Sequence, residues 1–210
     1  MRTRTERQTL GGTVNQLRSL SEQSLERAGG SLAALLGHPV DLAVSEVRVL
    51  TIGDLATVTE GTDAVVGGAR FEITGEGRGQ MMIVFPLPTL ARMLEALLGR
   101  SREVSALGPA EQSAVQEVAN IVVSSFLNGL SDLLNKRLLP TPPQFQYGSM
   151  HELLHGVMGA LGPAPQTVLV VQAVFKDEGG QVLGRFFVVP RVPDLDAMLD
   201  GTEPRGEGEG

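Results

Sequence analysis

The feature that most constrains the fold of this 210-residue chain is an internal repeat. The segment GQMMIVFPLPTLARML, which ends at Leu94, resembles GRFFVVPRVPDLDAML, which ends at Leu199, at a shift of 104 to 105 residues. Earlier in each copy, Leu32 corresponds to Leu130 at a shift of 98. Two copies of one helix-and-strand plan predict a pseudo-twofold arrangement in which each long helix packs on a shared sheet.

The patterns within each copy predict one α+β domain with a mixed, largely antiparallel sheet and two long helices on one face. Helices are predicted over about 13–36, 88–98, 109–138 and 150–161, and extended chain over about 40–52, 70–85, 167–175 and 182–189. A polar, glycine-rich connection is expected over 54–68. The domain should span 13–200, with repeats over about 13–99 and 109–200, a flexible segment over 1–12 and a disordered tail over 201–210.

Composition excludes several classes of protein. The net charge of −7 argues against nucleic acid or an anionic membrane as the main partner. The absence of cysteine excludes disulfides, a thiolate nucleophile and a cysteine zinc site. No apolar run approaches the roughly 20 residues of a transmembrane helix, and the first twelve residues lack a signal-peptide core. We expect a cytoplasmic protein without membrane insertion.

The longest helix candidate carries an apolar arc and a narrow polar stripe. Pro109 suits a first helical turn, and Pro140 cannot continue a helix. At about 100° per residue, one arc contains Val115, Val118, Ala119, Val122, Val123, Phe126, Leu130 and Leu133. The stripe on the opposite side, within roughly 60°, contains Ser113, Glu117, Asn120 and Ser124. Such a stripe is most often a solvated helix face, but a carboxylate and an amide one turn apart can also hold a cation and a water.

A family resemblance favours a functional stripe. The pattern Ser113-x3-Glu117-x2-Asn120-x21-Pro142 resembles the signature of the CheC/CheX/FliY family of chemotaxis phosphatases. The surrounding segment, EVANIVVSSFLNGLSDLLNKRLLPTPP, is similar to the CheC branch in particular. The similarity extends from about Leu17 to Leu199.

The resemblance implies a phosphatase that removes phosphate from the aspartyl phosphate of a CheY-like receiver domain. Asn120 would orient the attacking water, as amides do in other phosphoryl transfers. Glu117 would pair with the receiver's lysine. Ser113 would lie at the edge of the contact, and Pro142 would end the turn after the helix. The receiver would supply the magnesium ion, so no cofactor of the protein's own is expected; a CheD-type receptor deamidase is a second possible partner.

The repeat predicts that only one half carries a working site. At the shift of 98, Ser113, Glu117 and Asn120 correspond to Asn15, Ser19 and Glu22, so the first helix has no Glu-x-x-Asn pair. The family often carries both sites, and this chain departs from that pattern. The alternative function is therefore a non-catalytic adaptor of the same fold in the chemotaxis or flagellar switch apparatus.

A competing motif is the HELLH at His151–His155, which has the HExxH pattern of zinc peptidases. The candidate helix is only about three turns long, between Gly148 and Gly162. The remaining histidine, His38, is far upstream, and a downstream carboxylate such as Glu178 could serve as third ligand on spacing but lies in a predicted DEGG turn. We expect no metal site here, with a zinc peptidase as the minor alternative.

Overall fold

The computed structural model describes residues 4–36, 39, 41–50, 64–99, 107–160, 168–176 and 182–190. The helices there are α1 (Arg4–Leu36), α2 (Leu87–Leu98), α3 (Pro109–Leu134) and α4 (Met150–Gly159). The strands are β1 (Asp41–Leu50), β2 (Val65–Gly75), β3 (Gly79–Pro86), β4 (Leu138–Pro140), β5 (Gln144–Ser149), β6 (Val168–Lys176) and β7 (Val182–Pro190). The predicted α+β class is confirmed, whereas the expected tail at 201–210 and most of the expected 54–68 connection lie outside the described residues.

The seven described strands form one sheet in the order β1-β6-β7-β3-β2-β4, with β5 also pairing with β2. Every pairing between them is antiparallel. Exchanging β1 with β4 and β5, β2 with β6, and β3 with β7 gives the same strand order, read from the opposite edge of the sheet. At the centre Met82 lies opposite Phe187, its own repeat equivalent. The predicted pseudo-twofold axis therefore passes through this central pair.

Helices α1 and α3 lie side by side and antiparallel on one face of the sheet. Arg27 forms an ion pair with Asp132 at 2.6 Å, and one turn further along α1 the hydroxyl of Ser31 lies 2.8 Å from that of Ser125. These helices and α2 share one buried apolar cluster with the sheet. On the other face, α4 packs Met150, Leu153, Leu154 and Val157 against a second cluster that includes Val66, Met82 and Phe187. The two clusters place α3 and α4 on opposite sides of the sheet.

The crossing of α1 and α3 depends on a glycine. A Cβ built at Gly129 would lie 3.2 Å from the Cα of Ser24 and 3.4 Å from Cδ of Arg27. Gly129 is buried, so the two backbones approach closely at this point. A larger side chain would have to separate the helices and open the shared core.

We expect Gly129→Leu to destabilise the protein by about 1–3 kcal/mol, because overpacking exceeds the gain in helix propensity. The measurement is the midpoint of urea unfolding. The matched control is the same change at Gly30 of α1, which is exposed and has no heavy atom within 4 Å of a built Cβ. Gly30→Leu should leave stability equal or slightly higher. An unchanged midpoint for Gly129→Leu would show that the crossing tolerates separation.

Three boundaries differ from the sequence predictions by more than two residues. Helix α1 begins at Arg4 rather than near Thr13. Helix α3 ends at Leu134 rather than near Leu138, because Asn135 adopts the left-handed conformation with φ of 50°. Strand β2 begins at Val65, within the segment expected to be a connection.

Candidate functional site

The two faces of α3 separate as the sequence predicts. Eleven α3 residues are buried, and they include all of the predicted arc except Leu133, which is half-buried. On the opposite side Ser113 and Glu117 are exposed, and Asn120 and Ser124 are half-buried. Pro109 occupies the first turn after the N-cap Gly108, in the position that a proline tolerates best. The stripe is therefore a continuous outward polar surface that fills no core space.

The amide of Asn120 has a defined neighbour within the stripe. The Ser124 hydroxyl donates a hydrogen bond to Oδ1 of Asn120 over 3.4 Å. This contact occupies the carbonyl side of the amide and directs the NH2 group away from Ser124. Ser124 therefore limits the orientations of the side chain that is predicted to position water.

The proline-rich segment after α3 is held beside the stripe. Nε2 of Gln116 donates to the carbonyl oxygen of Pro143 over 2.8 Å. The backbone N–H of Thr141 donates to the carbonyl of Glu72, and the N–H of Glu72 donates to Oγ1 of Thr141 over 2.9 Å. Pro142 lies exposed between these two anchored neighbours. Gln116 was not among the predicted site residues, although its position next to Glu117 on the helix could have suggested a contact with the segment that follows.

The positions on α1 that are equivalent to the stripe of α3 have different side chains. Asn15, Ser19 and Glu22 are all exposed. Glu22 forms an i,i+4 ion pair with Arg18 at 3.8 Å. Gln23 donates to the backbone carbonyl of Ser19 over 3.3 Å. Because α1 and α3 are antiparallel, this surface lies at the opposite end of the helix pair from Glu117 and Asn120.

The HELLH segment forms the first turns of α4. His151 is half-buried and His155 exposed, and their ring centroids are 4.5 Å apart. Oε2 of Glu152 accepts hydrogen bonds from the hydroxyl of Ser149 at 2.9 Å and from its N–H at 3.1 Å, while the N–H of Glu152 donates back to that hydroxyl. These bonds, the side-chain one first, lower the pKa of Glu152. The carboxylate that a zinc peptidase would use as its base is thus part of a helix cap.

The residues that the structure describes contain neither a metal-binding cluster nor a helix that could span a membrane. In the ranges given above, no three His, Asp or Glu side chains come together as a possible metal-binding group. Nor does any helix in this part of the chain combine the length and apolarity that a membrane span requires.

Comparisons with known proteins agree with this fold. The sequence matches the model of the CheC-like family over residues 111–147, which include Glu117, Asn120 and Pro142. It is 22% identical over 188 residues to the CheY-P phosphatase CheC of Bacillus subtilis (strain 168), covering 87% of this chain and 90% of that protein.

Solved structures share the architecture. Thermotoga maritima FliY has a TM-score of 0.72 at 20% identity, covering 91% of this chain and 98% of that one. The FliM middle domain from H. pylori has a TM-score of 0.63 at 14% identity, covering 90% and 97%. The family-model match, the curated relative and the solved structures together support the predicted resemblance to the CheC/CheX/FliY family.

Proposed function

We propose that this protein is a phosphatase for the aspartyl phosphate of a CheY-like receiver domain. The observation that carries the proposal is the outward placement of Glu117 and Asn120 one turn apart on α3, where no core contact requires them. The Bacillus subtilis relative is named CheY-P phosphatase CheC, which supports the same proposal. The chain is taken to be cytoplasmic, where such receivers are found.

The proposed chemistry needs little from the protein beyond positioning. Water attacks the phosphorus atom, the phosphorus–oxygen bond to the aspartyl group breaks, and the products are inorganic phosphate and the free carboxylate. The Asn120 amide would hold that water in line, which removes the entropic cost of orienting it during the reaction. The receiver would supply its magnesium ion and lysine, so the protein itself needs no metal or cofactor.

Docking is assigned to Glu117. An exposed carboxylate at this position can pair with the receiver's lysine through a charge-assisted hydrogen bond. This contact would set the register that brings Asn120 to the phosphoryl group. Ser113, one turn before Glu117 on the same stripe, is proposed to contact the edge of the receiver.

The direct test is the loss of phosphate from a panel of phosphorylated receiver domains, with and without this protein. At least one receiver should lose its phosphate faster in the presence of the protein, at a rate proportional to protein concentration. No acceleration across the panel would contradict the proposal.

Ser124→Ala should lower turnover roughly 2- to 10-fold, since one neutral hydrogen bond contributes about 0.5–1.5 kcal/mol. The receiver concentration for half-maximal rate should change little, because Ser124 orients Asn120 rather than docking the partner. Ser124→Thr keeps the hydroxyl and should restore most of the rate. The control is Ser125→Ala, since Ser125 bonds to Ser31 on the α1 side. Equal losses in both alanine variants would assign the effect to general packing.

The alternative function is a non-catalytic adaptor. The similarity of the fold to the FliM middle domain and FliY favours it, as does the altered stripe of α1. Under this alternative a phosphorylated receiver, or a CheD-type deamidase, would bind without any change in the rate of dephosphorylation. Measuring binding and turnover on the same receiver separates the two functions.

A further inference from the structure

The histidines of α4 have a geometry that the phosphatase proposal does not use. Their rings lie 4.5 Å apart, with planes inclined at 61°. A metal ion about 2.0–2.1 Å from each coordinating nitrogen lies about 3.2 Å from each ring centroid. Two imidazoles bound at about 90° to each other therefore have centroids about 4.5 Å apart. The observed separation matches two adjacent positions of a tetragonal or octahedral ion, and is shorter than a tetrahedral ion would require.

Three sets of contacts hold the backbone of α4 that carries His151 and His155. Leu153, Leu154 and Val157 are buried in the second apolar cluster and fix the inner face of α4. The reciprocal hydrogen bonds of Ser149 and Glu152 fix its first turn. Near its end, the guanidinium of Arg70 donates to the carbonyl of Gly156 over 3.3 Å. Two ligands one turn apart on a fixed helix lose little freedom when they bind a common ion.

The donor set indicates the class of ion. Imidazole nitrogens suit zinc, copper and nickel, and affinity for a given nitrogen site rises towards copper. The Glu152 carboxylate is engaged by Ser149, so the two rings are the available donors of the motif. Because His155 is exposed, the remaining coordination positions would face solvent.

We propose that His151 and His155 form an open two-imidazole site for a late first-row divalent ion, copper or nickel rather than zinc. The site is independent of the phosphatase stripe, since α4 and α3 pack on opposite faces of the sheet. It is also distinct from a peptidase centre, because the motif's glutamate serves as a helix cap. Water or a donor from another molecule completes the coordination.

Titration calorimetry with Ni²⁺ on the full chain tests the proposal. The protein should bind one ion, and bound ion should raise the melting temperature because it bridges one turn of α4. His151→Gln and His155→Gln should each weaken binding at least 10-fold and abolish the thermal shift. His38→Gln, which alters the third histidine of the sequence, should change neither. Acidification should release the ion, since imidazole coordinates in its unprotonated form.

A spacing control separates chelation from loose attraction of metal to histidine. The double variant His155→Gln, Gly156→His keeps the number of histidines but moves the second ring about 100° around the helix. A built Cβ at Gly156 has no heavy atom within 4 Å, so the change should be tolerated. It should bind Ni²⁺ as weakly as His155→Gln alone. Full binding by this variant, or no saturable binding by the unaltered protein, would overturn the proposal, whatever the phosphatase assay shows.

Discussion

Replacing Asn120 with alanine or with aspartate is expected to remove most of the receiver phosphatase activity and leave the fold intact. Loss of one positioned amide commonly costs about 10²–10³ in turnover. Aspartate keeps the shape of the side chain but places a negative charge beside a phosphoryl group that is already rich in charge. Asn120 fills no core space, so thermal melts of both variants should match the unaltered protein within about 0.5 kcal/mol of stability. The measurement is receiver phosphate remaining over time.

The matched controls lie on α1. Ser19 and Glu22 are the repeat equivalents of Glu117 and Asn120, and both are exposed. Ser19→Ala and Glu22→Ala should leave turnover nearly intact. If these changes abolish activity while Asn120→Ala does not, the site lies on the other half of the domain.

Glu117→Gln should weaken docking of the phosphorylated receiver more than it slows the bound complex. Loss of one charge from a charge-assisted contact commonly costs on the order of 2–5 kcal/mol. Glutamine removes the charge but keeps the shape of the glutamate side chain. The receiver concentration that gives the half-maximal rate should therefore rise strongly. Affinity for a receiver loaded with beryllofluoride, which mimics the phosphorylated state, should fall by the same factor.

Salt dependence provides the second readout for Glu117. Binding by the unaltered protein should weaken as ionic strength rises, and the Glu117→Gln variant should show a smaller slope. Glu22→Gln, an exposed carboxylate on α1, is the control for general charge effects. Lower turnover at saturating receiver with unchanged affinity would place Glu117 in the chemical step instead of the docking step.

The sequence predicted those elements whose local signals agree with the tertiary structure. Helix α2 follows Pro86 and ends at Gly99, which adopts the left-handed conformation with φ of 65°. The polar stripe of α3 was predicted because helical periodicity alone decides which side faces out. The repeat gave the pseudo-twofold axis, because equivalent residues must pair where the axis crosses the sheet.

The errors arose where tertiary contacts override local preference. The glycines at the start of β2 indicated a loop, yet a Cβ at Gly68 would lie 1.9 Å from the carbonyl oxygen of Ile83. Glycine is needed there for close packing of a strand, not for a turn. The end of α3 was placed by Pro140, whereas Asn135 stops the helix earlier and Ser131 bonds both backbone groups of Leu138. The Gln116 contact was missed since its acceptor is a distant backbone carbonyl.

The interleaved order of the sheet has a consequence for biosynthesis. Among the strands that the structure describes, β1, from the first copy, pairs only with β6, from the second, and Asp41 lies opposite Lys176. More than a hundred residues must be translated between these strands, which takes on the order of ten seconds at typical rates. During that interval the nascent chain presents β1 without its neighbour, as a free edge open to chaperones and to other nascent chains. We therefore expect the sheet to be completed late in synthesis, once the strands of the second repeat have left the ribosome.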